Sequence, residues 1–135
     1  MGTHSFIIMR VKHGEEWVTY CKLYQQFDGY LDVVGLQLAK FLSEIRIVNG
    51  FTSAERKNLA NGADCLFAQI VSKFKTECGY TYLTNPNSSD LEEYNYYVDV
   101  DEQTQSIRLT IHSTHDLFSG SPTDAVEFIK NYKEV

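Results

Sequence analysis

The sequence predicts an α+β fold: a mainly antiparallel sheet with helices packed on it, in the order ββααβββα. Three observations lead there. Runs of alternating apolar residues are joined mostly by short turns, which favours hairpins over parallel crossovers. Three other stretches carry the apolar spacing of amphipathic helices. The 135 residues show no internal repeat, linker or shift in composition, so 1–135 reads as a single α+β domain.

Residues 5–12 (SFIIMRVK) form a β run, and His13-Gly14 is a turn signal. Residues 15–26 (EEWVTYCKLYQQ) return as the second strand. Both strands are apolar on both faces, so this hairpin is expected to be central in its sheet and covered twice. Val34, Leu38, Phe41, Leu42 and Ile45 then recur at helical spacing, and Asn49-Gly50 ends that helix. A second helix is expected from Thr52, where Thr52 and Glu55 have the spacing of a capping box. Its apolar stripe is Leu59, Ala63, Leu66, Ile70 and Phe74, with Asn61-Gly62 as an interruption or kink.

Residues 79–83 (GYTYL) are the third strand, followed by the polar loop TNPNSSD. In residues 93–100, Tyr94, Tyr96, Val98 and Val100 alternate with Asn95, Tyr97 and Asp99. After the turn DEQTQ, residues 106–112 place Ile107, Leu109 and Ile111 on the core face. Ser121 as N-cap and Pro122 at the first helical position open the last helix. Ala125, Phe128, Ile129 and Tyr132 form its buried stripe.

A net charge of −6 argues against general nucleic-acid binding, because phosphate backbones attract Lys and Arg. A free nucleotide needs only a few local donors and stays open, as does a basic protein partner. Cys21, Cys65 and Cys78 have neither CxxC nor Cys/His zinc spacing, so they read as reduced thiols in a cytosolic protein. There is no signal-peptide pattern and no apolar run of transmembrane length. The N-terminal MGTHSF lacks the Ser or Thr that myristoylation wants at Phe6. The expectation is a cytoplasmic protein with no membrane partner.

The densest group of candidate site residues is YQQFDGY, residues 24–30. Gln25 and Gln26 bring amides, and Phe27 and Tyr30 bring rings for stacking. Asp28 can orient a hydroxyl or amine, Gly29 permits a tight turn, and the helix start that follows favours an anion. The competing reading is a structural turn with Asp28 bonding its own backbone. Asn61, Cys65 and Gln69 share one helical face and form a second candidate lining with Asp64, unless they bond neighbouring loops.

His112 and His115 lack a defined third ligand, so no metal is expected there. Residues 90–102 hold six carboxylates and no Lys or Arg. That segment reads as a solvated hairpin, or else as a surface for a basic partner. Thr3 and Ser5 are not placed as an N-terminal nucleophile, since Met removal would expose Gly2. No phosphate-binding loop, GxSxG or HExxH occurs, so no catalytic residue and no cofactor is expected.

Several motifs recur in order along most of the chain: MGT-x-S at 1–5, YQQFDGY at 24–30, FL then IVNG within 41–50, ANG-x-x-CL-x-AQ-x-V-x-x-FK at 60–75, and EYNYYVDVD at 93–101. On these the chain resembles a family of small proteins from phages, other viruses and bacteria. The resemblance implies a viral or mobile-element origin and no particular chemistry. Relatives usually carry Arg at the position of His4, Pro at that of Leu31 and Gly at that of Val33. The loss of Arg removes a fixed cation near the N-terminus, and the other two changes alter the loop after Tyr30.

The expected function is non-catalytic binding of a small, nucleotide-like molecule, with sequestration of a host immune signal as its use in the host cytosol. The expected site is Gln25, Gln26, Phe27, Asp28, Gly29 and Tyr30 with Asn61 and Gln69. The alternatives are an acidic inhibitor that mimics nucleic acid towards a basic host protein, and a small hydrolase. Tyrosines on strand surfaces such as Tyr97 make a homo-oligomer reasonable.

Overall fold

The alternation of the first 25 residues produces a hairpin of β1 (Ser5–His13) and β2 (Glu16–Gln25), which turns at Gly14 with φ +64°. The computed structural model describes residues 3–51 and 58–132. After the hairpin come a wide π turn (Leu31–Gly35), α1 (Leu36–Ser43), β3 (Arg46–Val48), β4 (Leu59–Asn61) and α2 (Gly62–Phe74). Then follow β5 (Thr81–Thr84), β6 (Tyr94–Asp101), β7 (Ser106–His112), β8 (Asp116–Gly120) and α3 (Pro122–Asn131). The fold is α+β.

Six strands form one sheet in the order β5-β2-β1-β6-β7-β8. Every pairing in it is antiparallel except β1 with β6. That one parallel contact lets a chain of two hairpin systems close into a single sheet. A register shift after Met9 leaves Tyr20 as an extra residue in β2, a bulge that twists the hairpin.

The two faces of the sheet differ. Ile7, Met9, Val11, Leu23, Tyr96, Val98, Val100, Leu109 and Ile111 are at most 1% exposed, and they meet Leu38, Leu42, Leu66, Ile70 and Ala125 of the helices. Fully burying a side chain such as Leu or Ile contributes roughly 1.5–3 kcal/mol, so this layer dominates stability. The opposite face mixes buried Phe6 and Ile8 with charged side chains. Arg10 donates to both carboxylate oxygens of Asp99 at 2.6 and 2.7 Å and lies over the Tyr97 ring at 4.6 Å. The Lys22 ammonium donates to the carbonyls of Ser88 and Asp90 at 2.9 and 2.7 Å, 4.2 Å from the Phe6 ring centre. Lys22 therefore pins the loop after β5 over the hairpin, so the hairpin is covered by helices on one face and by this loop on the other.

Three features depart from the expected order. β8 was not expected; its five residues, DLFSG, have no clear alternation, and they become a strand by pairing with β7. β4 pairs in parallel with β3 and occupies residues that were expected within the second helix starting at Thr52. Thr52 and Glu55 themselves lie outside the described residues. The Asn61-Gly62 step is the start of α2 rather than a kink within it: Asn61 has non-helical dihedrals and Gly62 has φ +83°. The cap comes from a distant turn, where Glu102 accepts from the Ala63 amide at 2.9 Å. A carboxylate at a helix N-terminus satisfies an orphan donor and meets the favourable end of the helix dipole.

Candidate functional site

The residues of the opening corner divide between the interior and two outer surfaces. Gln25 ends β2 and is 5% exposed; its carbonyl oxygen accepts from the Thr81 hydroxyl at 2.5 Å. The same hydroxyl lies 3.2 Å from the Phe74 carbonyl at the end of α2. Gln25 thus joins β2, β5 and α2, and the expectation that its amide faces a ligand is corrected. A buried amide is held by a partner, because an unpaired one costs about 1–3 kcal/mol.

Gln26 and Phe27 lie towards β5. The Gln26 amide donates to the Tyr80 carbonyl at 2.7 Å, and its side-chain oxygen is 3.4 Å from the Tyr82 hydroxyl. Phe27 meets Tyr80 edge to face with centroids 5.2 Å apart. Asp28 takes the left-handed conformation, φ +59°, which aspartate tolerates better than most residues. Its carbonyl accepts from the Val34 amide at 3.3 Å, so its backbone plays the structural part of a turn.

Gly29 is the anchor of the corner. Its amide donates to the Thr3 carbonyl at 2.7 Å, and its carbonyl accepts from the Tyr96 hydroxyl at 2.7 Å. A Cβ here would sit 2.7 Å from both Cβ and Oγ of Ser5 and 2.9 Å from the Thr3 carbonyl oxygen. The N-terminal Thr3 and Ser5 lie beneath this anchor, 5% and 0% exposed.

Tyr30 turns the other way. With Leu31, Asp32, Tyr94, Ile129 and Tyr132 it lines an open cleft of about 160 Å³ between the π turn, β6 and α3. Tyr94 stacks on Tyr96 with centroids 6.4 Å apart and planes at 16°. Tyr132 packs on Phe128 at 5.3 Å, and Phe128 stacks on Phe118 at 5.1 Å. Two walls of the cleft are therefore held by rings behind them, whereas Tyr30 is 42% exposed. Among the described residues, three tyrosines, two aliphatic residues and one aspartate line the cleft, residue types suited to binding and orienting a ligand.

The spacing places Tyr94 on one strand face with Tyr96, Val98 and Val100, and Tyr132 in the buried stripe of the last helix. Both are half-buried, because each is the outermost member of its apolar series. That end position is the signal that could have drawn attention to them: a tyrosine closing an apolar stripe lies at the edge of the core.

Asn61 and Gln69 are not brought to the corner. Gln25 lies by the C-terminal end of α2 and Asn61 precedes its N-terminus, about 20 Å away along a 13-residue helix. The Asn61 side-chain oxygen accepts from the Gly50 amide at 2.8 Å, and the Gln69 amide donates to the Leu59 carbonyl at 3.1 Å. Together with Phe51, Leu59 and Cys65 they line a separate hollow of about 180 Å³. The polar stripe of α2 thus bonds its neighbouring segments and lines a hollow of its own. A further hollow of about 350 Å³ between β3 and the β6–β7 turn includes Glu102, the cap of α2.

The remaining candidates have local partners. His112 pairs with Asp116 at 2.9 Å, and His115 lies 3.2 Å from the Thr114 hydroxyl. Of the six carboxylates between residues 90 and 102, Asp99 holds Arg10, Asp101 accepts from the Gln103 and Thr104 amides, and Glu102 caps α2.

Burial beneath the cleft leaves a measurable trace. The Tyr96 phenol is pushed far up in pKa by desolvation, with the nearby Tyr94 and Asp32 adding in the same direction. Above pH 10 the unfolded chain releases this proton while the folded chain keeps it, so the contribution of Tyr96 is complete below pH 10 and is lost as pH rises further. Stability should fall by about 1.4 kcal/mol per pH unit from this group alone. Urea unfolding of wild type and Tyr96→Phe between pH 9 and 11 should give a visibly shallower fall for the variant. Equal slopes would place the Tyr96 hydroxyl in water.

In comparison with known proteins, no family model, no curated protein and no solved structure matches the chain.

Proposed function

We propose that the protein is a non-catalytic module that captures a small molecule in the Tyr30 cleft. The observation that carries this reading is the convergence of Tyr30, Tyr94 and Tyr132 from three separate elements on one hollow at the predicted corner. Ring walls bind planar or compact groups by stacking, and the rings packed behind Tyr94 and Tyr132 reduce the entropy lost on binding. A nucleobase or nucleoside head group suits the walls. No lysine or arginine is among the described lining residues, and a cleft of about 160 Å³ leaves the phosphates of a nucleotide outside it.

Binding is favoured over mimicry of nucleic acid because three of the six acidic side chains on the proposed mimic surface are engaged within the fold. The resemblance to phage and viral proteins supports sequestration of a host signal as the use of such a module. A cytosolic setting belongs to the same proposal, supported by three free cysteines and by the lack, among the described residues, of a helix long and apolar enough to cross a membrane.

Titration calorimetry against nucleosides, linear and cyclic nucleotides and small amines tests the reading. At least one class should give saturable heat, and Tyr30→Ala should weaken it about tenfold, the loss of one stacking contact. Tyr30 is well exposed, so the variant should keep the wild-type melting temperature. Flat heats across the panel, or a Tyr30→Ala protein that binds as wild type does, would remove the proposal.

A further inference from the structure

We propose that the Tyr30 cleft selects a small organic cation, with Asp32 as its counter-ion and Tyr30, Tyr94 and Tyr132 as its walls. This rests on the binding reading above and narrows it to a ligand class. Among the described residues, five of the six that line the cleft are uncharged, and the sixth is Asp32. Tyrosine rings carry negative charge on their faces, so a ring-lined cleft attracts an ammonium group. A carboxylate at the same hollow adds attraction for a cation and repels an anion. An uncharged ligand gains only the stacking part.

Three further observations agree. Asp32 lies near enough to the buried Tyr96, on which Tyr94 stacks, for its charge to oppose ionisation of that phenol. A hollow of about 160 Å³ suits a compact head group better than a whole nucleotide. The net charge of −6 draws cations towards the surface before contact. The protein also uses the same contact internally, where the Arg10 guanidinium lies 4.6 Å from the centre of the Tyr97 ring.

The test compares two cations with uncharged counterparts by calorimetry: choline with 3,3-dimethyl-1-butanol, and 2-phenylethylammonium with 2-phenylethanol. At least one cation should bind, with its neutral counterpart about tenfold weaker or worse. Asp32→Asn should weaken the cation about fivefold or more and leave the neutral compound unchanged, and Asp32→Glu should restore most of the loss. Raising salt should weaken the cation more than the neutral compound. Asp32 is exposed, so a matching melting temperature is expected for both variants.

A neutral compound that binds as well as its cation, or an Asp32→Asn protein with full cation affinity, overturns the cation inference and leaves the cleft as a binding site. Flat heats with both cations also overturn it. If the wider panel of nucleosides and nucleotides is flat as well, the binding reading falls with it.

Discussion

Replacing Tyr96 by alanine is expected to lower stability by about 3–5 kcal/mol, the usual result of deleting a large buried ring. Tyr96 is 0% exposed and lies in the middle of the core between β1 and β7. The helical backbone at Gly35 rests on its ring, where an added Cβ would come within 3.0 Å. Its hydroxyl holds the Gly29 carbonyl at 2.7 Å, so one residue supports both the π turn and the corner before it. Tyr96→Phe separates these parts: the ring stays and the Gly29 carbonyl loses its partner, a change of about 1–2 kcal/mol. Urea denaturation measures both. An alanine variant within about 1 kcal/mol of wild type would mean that the ring is not a core support.

Gly29→Ala is expected to destabilise by about 2–3 kcal/mol, through crowding rather than backbone strain. The added methyl would meet Ser5 at 2.7 Å and the Thr3 carbonyl oxygen at 2.9 Å, and two of those contacts are with atoms that have little freedom to move. Room for the methyl can come only from shifting the N-terminal strand away from the corner. Ser5→Gly removes the side chain responsible for two of the three contacts, so the double variant should recover part of the loss. The Ser5 hydroxyl is buried without a hydrogen-bond partner among the described residues, so its removal sacrifices little. A double-mutant cycle should show a coupling of about 1 kcal/mol or more. Strict additivity would show that the two residues do not press on each other.

Local patterns were legible where packing follows the chain's own period. The alternation in Tyr94, Tyr96, Val98 and Val100 predicts one face of β6, and Ser121-Pro122 predicts the start of α3, where the Asp124 amide donates to the Ser121 hydroxyl at 3.1 Å. Features created by distant partners were not legible. β4 exists because β3 lies beside it, and α2 starts where Glu102 reaches it from 39 residues away. The same division runs through the site. The chemistry of the corner was legible, but which way each side chain turns depends on its neighbours. Thr81 draws Gln25 inward, Tyr80 engages Phe27 on the β5 side, and Tyr94 and Tyr132 define the cleft beside Tyr30.

The parallel join of β1 to β6 also has a bearing on biosynthesis. Arg10 and Asp99, paired across that join, are separated by 89 residues. The first hairpin therefore leaves the ribosome long before its neighbour is made, with one side of β1 presenting bare amides and carbonyls beside Ile7 and Met9. Nascent copies crowded on one message are most prone to stick together during that interval, and a chaperone that shields the first strand would act there.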